Sequence, residues 1–332
     1  MNSPIQFGTS GWRGLIARDF TFENLRLAAQ GLALSLKAEL RRKKSAIHGK
    51  RPLVIIGHDT RFLGREFALA TAEVLQRAGL EPLLTNRDAP TPVIAFSIRH
   101  KKAIGGVNIT ASHNPFGYSG FKFSMPNGAG APPEFTGKIE AHAAKLLAKG
   151  WQPKTAVVGT FQCKEFDPAP AYLNRIRKLI DLKAIGKAKL RIAVELMHGT
   201  GRGYLDTLLE EAGARISRFH ENLNPLFGGG SPEPNESGMA EAAKFVKGGK
   251  ADLALGLDGD ADRFGVVDKD STLLTPNQVL ALALYHLRKN RSIKGAVVRT
   301  VPTSHQVDAI AEMLGVKVHE TPVGFKHIGA LM

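Results

Sequence analysis

Three aspartates at alternate positions, Asp258, Asp260 and Asp262, follow the apolar residues 251–257 in the string Asp258-Gly259-Asp260-Ala261-Asp262-Arg263. Alternate residues of an extended chain project to one side, so the carboxylates converge, and Gly259 lets the backbone curl them around a small cation. Three hard oxygen donors suit Mg2+, which keeps open positions for water or a phosphate oxygen. The competing readings are a charged turn and the opening of an EF-hand calcium loop. An EF-hand needs glycine at its sixth position and glutamate at its twelfth, where this sequence has Arg263 and Lys269. That reading is excluded, and three crowded carboxylates at a strand's end repel one another without a cation.

A second string, Thr110-Ala111-Ser112-His113-Asn114-Pro115, follows the glycine-bearing, β-like residues 104–109. A serine among small and polar residues, with a histidine beside it, suits a loop that presents a nucleophile or a phosphate carrier. Taken alone, the hexapeptide is equally an ordinary Asn-Pro turn. It lacks the Gly-x-Ser-x-Gly elbow of hydrolases. Gly117-Tyr118-Ser119-Gly120-Phe121-Lys122 comes next, and Lys122 brings a cation able to neutralise a phosphoryl group. Residues 7–14, Phe-Gly-Thr-Ser-Gly-Trp-Arg-Gly, offer backbone N–H groups, hydroxyls and the Arg13 guanidinium to an anion, or form a plain N-terminal turn. They match neither the Walker A sequence nor a dinucleotide fingerprint, which follows a strand.

These loops need a scaffold. Leu25, Ala28, Ala29, Leu32, Leu36 and Leu40 recur at helical spacing behind Thr21, a candidate N-cap. The apolar residues 53–57 read as a buried strand, followed by a helix over about 64–78 and a strand near 80–84, the βαβ alternation of a parallel sheet. The alternation returns as a strand at 190–194, a helix reaching about 213 and the strand 251–257. It returns again as helix 278–287, strand 296–298, helix 305–314 and strand 316–319. Three α/β units in series are expected, with boundaries in the proline-bearing stretches near 150–153 and 268–276.

The 332 residues exceed what one core needs. The 45 Lys and Arg against 30 Asp and Glu give +15, concentrated in residues 1–150, where 21 basic residues face 10 acidic ones. Such an excess favours anionic partners. Arg41-Arg42-Lys43-Lys44 with Lys50-Arg51 imitates a nucleic-acid patch but reads as a solvated helix end. Base-stacking aromatics are scarce around it, so no nucleic-acid partner is expected. One cysteine, Cys163, no secretory leader and no long apolar span point to a soluble cytoplasmic protein with no membrane partner.

In this order and spacing, the strings at 7–14, 110–115 and 258–263 resemble the α-D-phosphohexomutase family, the phosphoglucomutases and phosphomannomutases. The resemblance implies four serial α/β domains with mixed, largely parallel sheets around a central cleft. Here it assigns domain 1 to residues 1–152, domain 2 to 153–270 and a partial domain 3 to 271–332. It places Pro225-Leu226-Phe227 and Pro232-Glu233-Pro234-Asn235 in the second domain and Thr321-Pro322-Val323-Gly324-Phe325-Lys326 in the third. It further implies a phosphoryl group on Ser112 and Mg2+ held by that phosphate with Asp258, Asp260 and Asp262. The phosphoryl group would move reversibly between Ser112 and the C1 or C6 oxygen of a phosphorylated hexose, through a hexose 1,6-bisphosphate. Arg13, Lys122 and Arg263 would neutralise phosphate charge, Lys122 or His113 would accept the proton unless His113 only orients the loop, and Lys326 would face the substrate. His198, in a strand-to-helix turn, and Arg61 are expected to be structural.

The sequence departs from the family after Lys326, where six residues remain. The sugar-gripping Glu-Ser-Gly loop and a fourth domain are expected to be absent. Glu236-Ser237-Gly238 imitates that loop but precedes the aspartate string, a chance match. An incomplete third unit leaves sheet edge and apolar surface uncovered. Two functions follow: a fragment or short form of a hexomutase that keeps its phosphoserine and metal sites but loses most sugar recognition, or a non-catalytic phosphosugar-binding or interaction protein.

Overall fold

The computed structural model describes residues 5–9, 11–42, 51–152 and 161–331. Ser10, residues 43–50, which hold part of the basic patch, and Pro153 of the first expected boundary lie outside them.

The chain begins with strand β1 (Trp12–Leu15), helix α1 (Phe22–Arg42), β2 (Leu53–His58), α2 (Gly64–Arg77) and β3 (Glu81–Thr85). Then come α3 (Thr91–His100), β4 (Gly106–Ile109), β5 (Tyr118–Ser124), α4 (Pro133–Ala148) and β6 (Lys164–Phe166). The six strands form one sheet in the order β1-β5-β4-β2-β3-β6. Strands β4, β2, β3 and β6 run parallel, and β5 lies antiparallel between β4 and β1.

Alternation along β2 shows why both faces are covered. Val54 and Ile56 join Leu25, Leu32, Phe67 and Ile139 in a core under α1, α2 and α4, whereas Ile55 joins Ile94 and Ile98 under α3. The Thr21 hydroxyl accepts from the Asn24 N–H at 3.2 Å, as an N-cap should.

The two edges of this sheet differ from the sequence expectation. The N-terminal loop ends in β1, because Trp12 is buried against Phe20 at 4.7 Å between ring centroids and pairs with Phe121 of β5. Strand β6, past residue 152, belongs to the first sheet by its pairing with β3.

The second unit holds α5 (Ala169–Arg177), α6 (Leu182–Ala188), β7 (Arg191–Glu195), α7 (Leu205–Glu211) and β8 (Arg215–Phe219). It continues with α8 (Ala240–Lys247), β9 (Leu253–Leu257), β10 (Phe264–Val267) and β11 (Leu273–Leu274). Its sheet order is β11-β10-β9-β7-β8, with β9, β7 and β8 parallel and β10 antiparallel to β9. The aspartate string is therefore the connection of a hairpin, closed by the pair Leu257 and Phe264.

The third unit comprises α9 (Pro276–Lys289), β12 (Val297–Thr300), α10 (Gln306–Met313), β13 (Val318–Thr321) and α11 (Phe325–Leu331). Its sheet has two parallel strands. Helix α9 buries none of its residues, and Leu282, Val301 and Met313 are each at least 60% exposed. No described helix is long and apolar enough to cross a membrane.

Gly120 sits in β5 between its two antiparallel neighbours. A Cβ there would lie 2.5 Å from the Thr110 carbonyl oxygen and 2.9 Å from that of Trp12, both fixed backbone atoms. We expect Gly120→Ala to lower unfolding stability by about 1–3 kcal/mol in urea titration, because neither neighbour can yield. A change within about 0.5 kcal/mol would show that the strands shift freely.

Candidate active site

Ser112 leaves β4 with φ of 55°, a left-handed conformation that L-residues adopt only under outside constraint. The constraint is Arg61. Its guanidinium donates to the carbonyl oxygens of Ser112 and Asn114, each at 2.6 Å, of Pro115 at 2.8 Å and of Tyr118 at 3.0 Å. Its Nε pairs with Asp59 at 3.0 Å, both side chains fully buried, and Phe227 from the second unit covers it at 4.9 Å. Arg61 thus holds the serine loop to the first sheet, as expected of a structural residue.

The aspartate hairpin approaches this loop from the second unit. A Cβ on Gly259 would lie 2.9 Å from the Ser112 carbonyl oxygen, so glycine permits the contact. The Ser112 hydroxyl donates to Asp258 Oδ2 at 2.9 Å. Asp258 Oδ1 accepts the backbone N–H groups of Asp262 and Arg263, each at 2.9 Å. Asp260 Oδ2 accepts from Lys122 Nζ at 2.7 Å and the Thr91 hydroxyl at 2.6 Å, and Lys122 reaches Asp262 at 3.4 Å. Ligand atoms of the three aspartates lie within 4.8 Å of one another.

Charge follows from this crowding. Burial, with the neighbouring carboxylates of Asp260 and Asp262, pushes the Asp258 carboxyl up to about 8. Burial also works against Asp260, but the Lys122 charge and the hydrogen bonds from Lys122 and Thr91 hold it below the usual carboxylate range. Asp262 is raised by burial and by Asp260. Burial alone would lower the Lys122 ammonium, and Asp260 and Asp262 outweigh it, so Lys122 sits above the ordinary lysine value. His113 is lowered by burial and by Arg263.

Even with Asp258 protonated, the Asp260 and Asp262 carboxylates outnumber the Lys122 ammonium, and Asp260 Oδ1, fully buried, has no hydrogen-bond partner among the described residues. An orphaned oxygen beside two more hard donors and a hydroxyl fits a small divalent cation.

Of the residues singled out by sequence, Ser112, His113, Lys122 and the three aspartates come together. The His113 Nδ1 is 3.5 Å from the Ser112 hydroxyl oxygen. Lys122 is engaged by carboxylates, because β5 carries it to the aspartate hairpin. Half-buried Arg13 donates to Asn114 Oδ1 at 2.6 Å, and burial lowers it. Arg263 pairs with Glu233 at 2.8 Å. Lys326 lies in α11, and its side chain is outside the described residues. His198 bonds the Asn222 carbonyl at 2.9 Å, in keeping with a structural turn.

Sequence reasoning missed Thr91 and the latch in which Arg202 grips both Asp88 oxygens, at 2.9 and 2.8 Å, across the seam between units. Thr91-Pro92 carried a helix-start signal, but nothing in it named Asp260 as a partner.

Comparison with known proteins decides the family. Family models for phosphoglucomutase/phosphomannomutase alpha/beta/alpha domains I, II and III match residues 4–149, 170–271 and 275–332. The chain belongs to the phosphoglucomutase/phosphomannomutase family. A phosphoglucomutase/phosphomannomutase of Thermococcus kodakarensis is 32% identical over 326 residues, covering 96% of this chain and 67% of the relative. Human phosphoglucomutase-1 is 30% identical over 312 residues, covering 84% of this chain but 55% of its own length. A solved structure from Thermus thermophilus, provisionally a phosphomannomutase, superposes with a TM-score of 0.85 at 35% identity, over 98% of this chain and 71% of that one. The chain thus spans between about half and two thirds of these curated phosphohexomutases.

In metal-free protein Asp258 keeps a proton that the unfolded chain releases above about pH 4. Its contribution to stability is full below that pH and is lost as pH rises toward about 8. The melting temperature in EDTA should therefore fall from pH 5 to pH 8 more in the wild type than in Asp258→Asn, and Mg2+ at pH 8 should restore it in the wild type only. Parallel pH profiles for the two proteins would contradict the assignment.

Proposed function

We propose that the chain carries the phosphoserine and metal centre of a phosphohexomutase. The observation that carries this reading is the Ser112 hydroxyl seated 2.9 Å from Asp258 within the carboxylate cluster. Asp258, Asp260 and Asp262 would hold Mg2+, which when bound neutralises charge on phosphoryl oxygens.

In the forward half-reaction a hydroxyl oxygen of a hexose monophosphate attacks the phosphorus on Ser112. The new P–O bond forms as the bond to Ser112 Oγ breaks, giving the hexose 1,6-bisphosphate. The hydroxyl proton passes to a base, which returns it to the departing Ser112 Oγ, so the serine leaves as a hydroxyl. His113 is the better acceptor, since it is pushed toward the neutral form and lies beside Ser112, whereas Lys122 is held as a cation by Asp260 and Asp262. Lys122, Arg13 and Arg263 place positive charge around the reacting phosphoryl group. After the bisphosphate turns over, its other phosphoryl group returns to Ser112 Oγ, so the enzyme ends as it began. We place this chemistry in the cytoplasm, where the one thiol, Cys163, stays reduced.

Turnover of glucose 1-phosphate and mannose 1-phosphate, with catalytic glucose 1,6-bisphosphate added, tests the proposal. The wild type should turn over and show one phosphoryl group by intact mass, and Ser112→Ala should lose the phosphoryl group and at least about a thousandfold in rate. Phosphosugar binding with no turnover and no phosphoryl group in the wild type would leave a binding protein in its place.

A further inference from the structure

Asp260 belongs to the second unit, yet the groups that fix its side chain come from the first. Thr91 is the opening residue of α3, preceded by Pro90, which makes no side-chain cap. Its backbone N–H, one of the free donors at a helix start, donates to the Asp260 carbonyl oxygen at 2.8 Å. Its hydroxyl donates to Asp260 Oδ2 at 2.6 Å and accepts from Asn108 Nδ2 at 2.9 Å. A hydroxyl has one proton to give, so the amide donation from Asn108 fixes the direction in which Thr91 gives it.

Asn108 is buried in β4 directly across from Lys122 in β5, in the register Asn108 to Lys122. Cross-strand partners share one face of a sheet, so both side chains approach the aspartate hairpin together. Lys122 reaches Asp260 Oδ2 itself, and Asn108 reaches it through Thr91. The Lys122 and Thr91 hydrogen bonds both fall on Oδ2, and Oδ1 is buried with no hydrogen-bond partner among the described residues. A carboxylate held by one oxygen with the other bare is oriented for a cation.

We propose that Thr91 and Asn108 form a positioning relay that fixes the Asp260 carboxylate so that Oδ1 faces the divalent cation. The relay rests on the metal centre proposed above. It also makes metal affinity depend on how the first unit docks on the second, because α3 and the hairpin meet at Thr91. Outer-sphere hydrogen bonds to metal-binding carboxylates contribute about 10- to 100-fold in affinity.

Binding of Mn2+ to the full chain, followed by loss of the free-ion EPR signal, separates the possibilities without any assay of turnover. Thr91→Val removes the hydroxyl at nearly constant shape and should raise the Mn2+ Kd about 10- to 100-fold. Thr91→Ser keeps the hydroxyl and should stay within about threefold of the wild type. Asn108→Ala leaves Thr91 in place and touches no metal ligand, so a raised Kd there reports lost orientation, and it serves also if Thr91→Val does not fold. Wild-type affinity in folded Thr91→Val or in Asn108→Ala overturns the relay, as does a Thr91→Ser protein as weak as Thr91→Val. Failure of the wild type itself to bind Mn2+ overturns the metal centre, a result distinct from either.

Discussion

Asp258, Asp260 and Asp262 present ligand atoms within 4.8 Å of one another, and among the described residues one ammonium, that of Lys122, pairs with two of them, Asp260 and Asp262. Two of these carboxylates are fully buried. Like charges at such separations in a low-dielectric setting cannot all remain ionised without compensation. The compensation is divided across the chain: the second unit supplies the acids, and the first supplies Lys122, the Thr91 hydroxyl and the Ser112 hydroxyl. The electrostatics that would hold a cation therefore also tie the two units together.

The serine loop meets this cluster in a left-handed conformation, and Arg61 sustains it. A buried guanidinium paired with Asp59 and bonded to four carbonyl oxygens fixes the loop through backbone atoms and leaves the Ser112, His113 and Asn114 side chains to other partners. Phe227 stacked over Arg61 and the Arg202 grip on Asp88 repeat the same pattern at the seam, each joining a first-unit residue to a second-unit one. Rigid elements on both sides thus aim two short loops at one another, and the chemistry sits where they touch.

Much of this was legible in the amino-acid order. Helix α1 declares itself through apolar periodicity, because one face of it is buried, and strand β2 through an unbroken apolar run, because it is buried on both faces. The Ser112 and Asp258–Asp262 strings stand out because they gather reactive side chains on short loops after strands. Strand β1 was hidden by the glycines around Trp12, and β8 by Arg215, Ser217 and Arg218, polar residues of a half-exposed edge strand. The role of Lys122 and the whole contribution of Thr91 were illegible for another reason. Their partner Asp260 lies 138 and 169 residues away, and no local pattern specifies which carboxylate a distant lysine or threonine will meet.

The proposed centre joins the carboxylate cluster, the Ser112 hydroxyl and the bare oxygen of Asp260 in one cation site. Anomalous diffraction from a crystal of this chain soaked in Mn2+ tests it directly. A single peak bonded to Asp258, Asp260 Oδ1 and Asp262, next to Ser112 Oγ, is the predicted result. Clear density for the loop with no peak among these oxygens, and Lys122 still paired with Asp260 and Asp262, would contradict it.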